Sequence, residues 1–277
     1  MAAGFAEVQK APPLPVSKGR AHGAMEHNMR IFAMADFHLS LSGEKPMTKF
    51  GDHWESHPER IERVCRELIS DDDLFLIPGD HSWGLRLDDA REDIQFIERL
   101  PGKKVLCRGN HDYWWQGIKK VREAFPGLTF LQNDAVHFGD EVSCCGTRGW
   151  SLPSSPGYQA KNDEKYLDRE IHRLKLSLAQ LNPQAKVKIA LMHYPPLYSN
   201  DLDTPFSELL AEAGVDLCVY GHIHLSTSGR LDVSVLNGRH RKVLYQLVSC
   251  DTLNFVPWEL DYGKLKKRTT EGAESKS

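Results

Sequence analysis

The sequence predicts an α/β protein built on mixed β-sheets, and two observations carry that reading. Strand-sized apolar runs alternate with amphipathic helices through the first half, the pattern of parallel strands covered on both faces. Shorter runs with hairpin punctuation follow in the middle and near the end, so antiparallel strands join the parallel ones. With 277 residues, 40% of them hydrophobic and 26% charged, the chain can bury a substantial core. That composition excludes a disordered chain, a collagen-like chain and a disulfide miniprotein.

The elements follow in order. Residues 1–28 are Ala/Pro-rich and lack the basic-then-apolar order of a signal peptide, so they read as a flexible extension. One domain is expected over 29–263, with a frayed, charged tail over 264–277. RIFAMAD (30–36) is a buried strand. Ser56 and Glu59 have capping-box spacing, with Pro58 in the first turn and Ile61, Val64 and Leu68 at helical intervals, which predicts a helix over 57–70. DLFLIPGD (73–80) is a second strand. Leu87, Ala90, Ile94 and Ile97 mark a helix that Pro101-Gly102 stops. KKVLCRGN (103–110) is a strand, and WQGIKKVREAF a helix ended by Pro126-Gly127. Residues 128–147 read as short strands with FGDE (138–141) as a turn. Asn162 is placed as the cap of a long helix with the stripe Leu167, Ile171, Leu174, Leu178 and Leu181. Strands are expected at 186–193, 215–222 and 242–250.

The formal charge of −3 gives no electrostatic case for long nucleic acids or an anionic membrane. No apolar run approaches the roughly 18 residues of a spanning helix. Six cysteines (65, 107, 144, 145, 218, 250) form no C-x-x-C pair, and most lie in apolar strands, which reads as a reducing cytoplasm.

The strands share a second property: each ends in chemistry. The first ends in Asp36-Phe37-His38, the second in Gly79-Asp80, the third in Gly109-Asn110-His111-Asp112, and later ones in His193 and in Gly221-His222-Ile223-His224. In α/β sheets ligands bind at the carboxyl ends of the strands, so parallel neighbours would bring these side chains to one spot. Carboxylates, an amide oxygen and imidazoles, with no thiolate, suit Mn, Fe or Zn. The donors outnumber the needs of one ion and suggest two divalent ions about 3.5–4 Å apart, the spacing used in phosphoryl chemistry.

The ordered set D-x-H, G-D, G-N-H-D, H and G-H-x-H, from Asp36 to His224, resembles the calcineurin-like metallophosphoesterases. The longer strings GDHSW, RGNHDYWW and GTRGW look like a bacterial subgroup of expected phosphohydrolases. The resemblance implies a sandwich of two mixed sheets flanked by helices. It also implies that Asp36, His38 and His224 hold one metal, that Asn110, His193 and His222 hold the other, and that Asp80 bridges them. His111 would face the substrate, a small phosphate monoester or diester, and assist the leaving group or the phosphate charge. A non-catalytic scaffold on the same fold is the alternative; its mark, loss of ligands, is absent from these motifs.

Two positions depart from the family pattern. His81 follows Asp80, where a small residue is usual, and Trp83 stands where many members carry an acid paired with the catalytic histidine. Arg148, in GTRGW, is a candidate for bidentate phosphate contact, with Arg108, Lys49 and Arg86 behind it. His53, His57, His137, His172 and His240 read as structural. Trp83 and Trp115 read as plugs between loops and helices, and the loops at 39–56 and 150–161 as the pocket's shapers.

Overall fold

The structure, a computed structural model, describes residues 29–43, 45–226, 237–261 and 265. The expected extension at 1–28 and, Leu265 apart, the expected tail at 264–277 lie outside the described residues. The strands are β1 (Ile31–Ala33), β2 (Leu74–Pro78), β3 (Lys103–Cys107), β4 (Thr129–Leu131), β5 (Ala135–Phe138), β6 (Val142–Thr147), β7 (Val187–Met192), β8 (Leu217–Tyr220), β9 (Gly238–His240), β10 (Val243–Leu247) and β11 (Trp258–Glu259). The helices are α1 (His57–Leu68), α2 (Arg91–Arg99), α3 (Ile118–Ala124), α4 (Ala160–Leu178) and α5 (Pro205–Glu212).

Two mixed sheets result. The five-stranded one runs β11-β1-β2-β3-β4, parallel except for β11. The six-stranded one runs β5-β6-β7-β8-β10-β9, with a parallel centre and antiparallel edges. Their apolar strands still obey the period of two. Ile31, Leu74, Leu76 and Val105 of one sheet meet Cys144, Ile189, Leu191, Leu217 and Val219 of the other in one buried layer. The alternate residues face outward. Phe32, Phe75, Ile77 and Leu106 pack under α1, α2 and α3. Ala190, Met192, Cys218, Tyr220 and Tyr245 pack under α4 and α5. Burying one large apolar side chain of this kind contributes about 1.5–3 kcal/mol. The α4 stripe does what its spacing predicts, with Leu167 and Leu174 buried and Ile171, Leu178 and Leu181 packed beside them.

Local signals fared unevenly. Ser56 does not cap α1: it is left-handed (φ 50°, ψ 34°) and its side chain caps nothing. His57 holds that corner instead, with its ring nitrogens 3.1 Å from Trp54 O and 3.0 Å from Phe37 O. The cap position of α4 is Gln159, and Asn162 lies in the first turn. The sequence pattern does not predict α5, β9 or β11. α5 begins with a reciprocal Thr204–Ser207 capping box and Pro205 in its first turn, so a local signal is present in TPFS.

The parallel strands of both sheets end at one edge of the molecule. There the sheets are stitched together by a bridge between Ala35 and Ser249, where Ala35 N donates to Val248 O and Cys250 N to Ala35 O. All six cysteines are unpaired and buried. Among the described residues no helix is long and apolar enough to cross a membrane.

Candidate metal centre

The chain beyond β1 does not break away from β2. Asp36 N donates to Gly79 O, His38 N to Asp80 O and Leu39 N to His81 O, so the two loops run side by side past the sheet. Asp36, His38, Asp80 and His222 all adopt positive φ, at 61°, 46°, 53° and 74°. Left-handed backbone costs a non-glycine residue of order 1–3 kcal/mol. Four such residues in one cluster mark strain that the surrounding hydrogen bonds hold in place.

The glycines of the motifs have a steric reason. A Cβ on Gly109 would lie 2.0 Å from Asp80 Oδ1 and 2.2 Å from Asp80 N. One on Gly79, which also has φ 95°, would lie 2.5 Å from His193 Nδ1, and one on Gly221 would lie 2.4 Å from Asp36 Oδ2. The candidate ligands lean on bare backbone.

The structure brings all eight expected side chains together. Asp36, His38, Asp80 and His193 form a buried floor, and Asn110, His111, His222 and His224 are partly exposed above it. Asn110 Oδ1 lies 2.7 Å from His193 Nε2 and 2.8 Å from His222 Nδ1. His193 Nε2 lies 3.3 Å from Asp80 Oδ2. On the other side, His38 Nε2 lies 3.2 Å from His224 Nε2 and 3.7 Å from Asp80 Oδ2, and His224 Nε2 lies 3.9 Å from Asp36 Oδ1. Two groupings offer donors within reach of a single ion: Asp36, His38 and His224, and Asp36, Asp80 and His193.

Contacts behind the cluster set the orientation of two of these rings. His193 Nδ1 faces Pro78 O at 3.2 Å, so it carries a hydrogen, and this turns Nε2 toward the Asn110 and Asp80 oxygens. His224 Nδ1 likewise faces Asp251 Oδ1 at 3.0 Å, which turns its Nε2 lone pair toward His38. The nitrogens and oxygens gathered at both places are donors of the kind a divalent cation takes. Burial opposes charge on His193, yet Asp80 and Asp36 outweigh it and push its pKa up to about 9. Burial pushes Asp36 up to about 6, against the pull of His224 and His193. Burial, together with His193, drives His222 down to about 3, which keeps it a neutral imidazole. The residues therefore fit divalent ions with oxygen and imidazole preference.

Asp112 buttresses the centre without touching it. Fully buried, it accepts from Gly109 N at 2.7 Å, Asp80 N at 3.0 Å, His81 N at 2.8 Å and Trp114 Nε1 at 2.9 Å. His81 also places Nδ1 2.9 Å from Asp112 and Nε2 3.2 Å from Ile77 O, so it braces the same loop from outside the ligand cluster. Asp251, which orients His224, is missed by the sequence reading. It follows β10, and the rule of polar strand ends would have found it.

His111 is held by its backbone, which donates to Asp80 Oδ1 at 2.8 Å. Its ring packs against Trp83 at 4.6 Å, and no described carboxylate hydrogen-bonds the ring. A cavity of about 480 Å³ opens over His38, His111 and His224. Met47, Phe50 and Trp54 of the 39–56 loop line it, and so does Trp83, whose ring stacks on His38 at 4.8 Å. Trp83 is thus a wall of the cavity as well as a packing residue, whereas Trp114 and Trp115 are core. Arg148 lies over Trp150 and 3.6 Å from the buried Glu170, with Arg169 and Arg173 on the same carboxylate, and it does not line the cavity.

Residues 29–226 match the family model described as calcineurin-like phosphoesterase. Solved structures resemble the chain to different degrees. Phosphopantetheinyl hydrolase (PptH) from Mycobacterium tuberculosis is 13% identical with a TM-score of 0.50, covering 81% of this chain and 90% of that one. The protein of unknown function AQ665 from Aquifex aeolicus is 13% identical with a TM-score of 0.46, covering 84% and 96%. TT1561 of Thermus thermophilus is 12% identical with a TM-score of 0.45, covering 77% and 90%. No curated protein matches the sequence.

Proposed function

The chain belongs to the calcineurin-like phosphoesterase family, and from that premise we propose that it is a dinuclear-metal hydrolase of phosphate esters. The observation that supports this reading is the convergence of side chains from five strand ends on one strained cluster whose oxygen and imidazole donors lie within reach of a shared ion. In the proposal Asp36, His38 and His224 hold one divalent ion, Asn110, His193 and His222 hold the other, and Asp80 stands between them. Two such ions supply a hydroxide nucleophile near neutral pH and offset phosphate charge.

The chain's own residues do the rest. Asp251 fixes the tautomer of His224, and Pro78 O fixes that of His193, so both present a lone pair in a set direction. Asn110 serves as a neutral oxygen ligand where a third carboxylate would cancel more of the metal charge. His111 faces the cavity and donates a proton to the departing oxygen. Trp83 replaces the acid that many relatives pair with this histidine, so His111 is positioned by its backbone and by a tilted ring contact with Trp83.

The test is to strip the protein of metal, restore Mn²⁺, and measure hydrolysis of p-nitrophenyl phosphate and bis(p-nitrophenyl) phosphate with Asp80→Ala as the blank. Metal-dependent turnover of either ester above the blank supports the reading, and the faster ester assigns phosphatase or phosphodiesterase. Turnover equal to the blank with both ions bound refutes it.

A further inference from the structure

The cavity beside the centre is asymmetric. The three imidazoles His38, His111 and His224 form its floor, and Met47, Phe50, Trp54, Trp83 and Leu225 form its walls, with Ser226 as the one polar residue among the described wall residues. Among the described residues that line it, none is Lys or Arg. Its volume of about 480 Å³ exceeds what a phosphate needs and falls within the range of about 300–1,000 Å³ for organic ligands.

The apolar wall is fixed in advance. Trp83 Nε1 donates to Met47 Sδ at 3.2 Å, Lys45 Nζ donates to Trp83 O at 3.1 Å, and the indole stacks on His38 at an interplanar angle of 25°. Trp54 is buried edge-on against His57 and Phe255. Phe50, at the rim, stands 53% exposed and makes no ring contact with the histidines. A ligand entering here meets a rigid aromatic surface whose ordering cost has already been met by folding.

We propose that this cavity receives the organic group on the leaving oxygen, and that the group is apolar and flat. The inference rests on the phosphoesterase reading. It follows from His111: the residue assigned to protonate the leaving oxygen faces this cavity, so whatever that oxygen carries lies against Met47, Phe50 and Trp83. An aryl or arylalkyl group gains from leaving water there. A sugar or a polyphosphate loses its hydration and finds no cation on the described walls to replace it.

The experiment compares 2-phenylethyl phosphate with ethyl phosphate on the Mn²⁺-loaded full chain, and likewise their methyl diesters. The two alcohols are close in acidity, so chemistry alone does not separate them. Burying a phenyl group predicts kcat/KM higher by about tenfold or more for the phenylethyl ester. Phe50→Ala should raise KM for that ester several-fold and so narrow the preference for phenylethyl over ethyl. Quenching of tryptophan fluorescence by 2-phenylethylphosphonate, and not by ethylphosphonate, reads the cavity without turnover. Equal kcat/KM for both esters overturns the inference while the phosphoesterase reading stands. Selective phosphonate binding with no hydrolysis of any ester keeps the cavity as an aryl-phosphonate site and overturns the phosphoesterase reading. Equal quenching by both phosphonates, or none, overturns the inference whatever the turnover.

Discussion

Asp112→Asn is the most informative single change, because it alters the support of the centre and leaves every candidate ligand in place. The carboxylate is fully buried, and its two oxygens divide the work. Oδ2 accepts from Gly109 N and Asp80 N, while Oδ1 accepts from His81 N and Trp114 Nε1. Asparagine is nearly isosteric but has one oxygen. Whichever way it turns, its amide hydrogens face two buried N–H groups. Each buried donor left unmade costs about 1–3 kcal/mol, so the change should destabilise by about 2–6 kcal/mol. At about 2–4 °C per kcal/mol for a chain of this size, the melting temperature should fall by roughly 10 °C. The assay is urea unfolding at pH 7 in excess EDTA, with wild type treated identically, so that metal binding plays no part. A loss below about 1 kcal/mol would refute the claim that Asp112 clamps the two motif loops.

Further outcomes follow from the same geometry. Gly109→Ala should push Asp80 aside, because the new Cβ would lie 2.0 Å from its Oδ1; a misplacement near 1 Å predicts about a 10²-fold loss of kcat and a lower metal content by atomic absorption. Asp251→Asn should weaken metal binding or activity by about 10–100-fold by freeing the orientation of His224, which a metal titration read by calorimetry checks. Asp73, far from the centre, supplies a pH prediction: burial works against its charge, but Arg30 and the Ser70 and Arg30 N–H groups prevail and lower its pKa. A lowered folded pKa gives stability that is present above the unfolded value of about 3.9 and is lost as pH falls below it; Asp73→Asn should flatten that acid limb of the unfolding curve, and an unchanged slope contradicts it.

Much of this was legible because the core and the centre use the same strands. The runs at 30–36, 73–80 and 103–110 announce themselves by continuous apolarity, and each breaks into polarity where the sheet ends. That break is what places Asp36, Asp80 and Asn110 at the edge where the strands finish. Other features were hidden for physical reasons. Ser56 carries the letters of a capping box, but His57 is pulled into the core by two carbonyls, and the backbone turns left-handed to follow it. β9 and β11 are edge strands of two or three residues, too short for periodicity to register. Trp83 reads as packing because a tryptophan after a strand usually is; that it faces a cavity depends on where the 39–56 loop lies, which only tertiary structure shows. Asp112 reads in the sequence as part of G-N-H-D, yet its partners on two strand-end loops cannot be inferred from spacing.

The central claim is that the converging side chains hold two metal ions. The most direct measurement is an anomalous-scattering map from crystals soaked in Mn²⁺. Two peaks about 3.5–4 Å apart are expected, one beside Asp36, His38 and His224, the other beside Asn110, His193 and His222, with Asp80 between. A single peak, or peaks away from these residues, would contradict it.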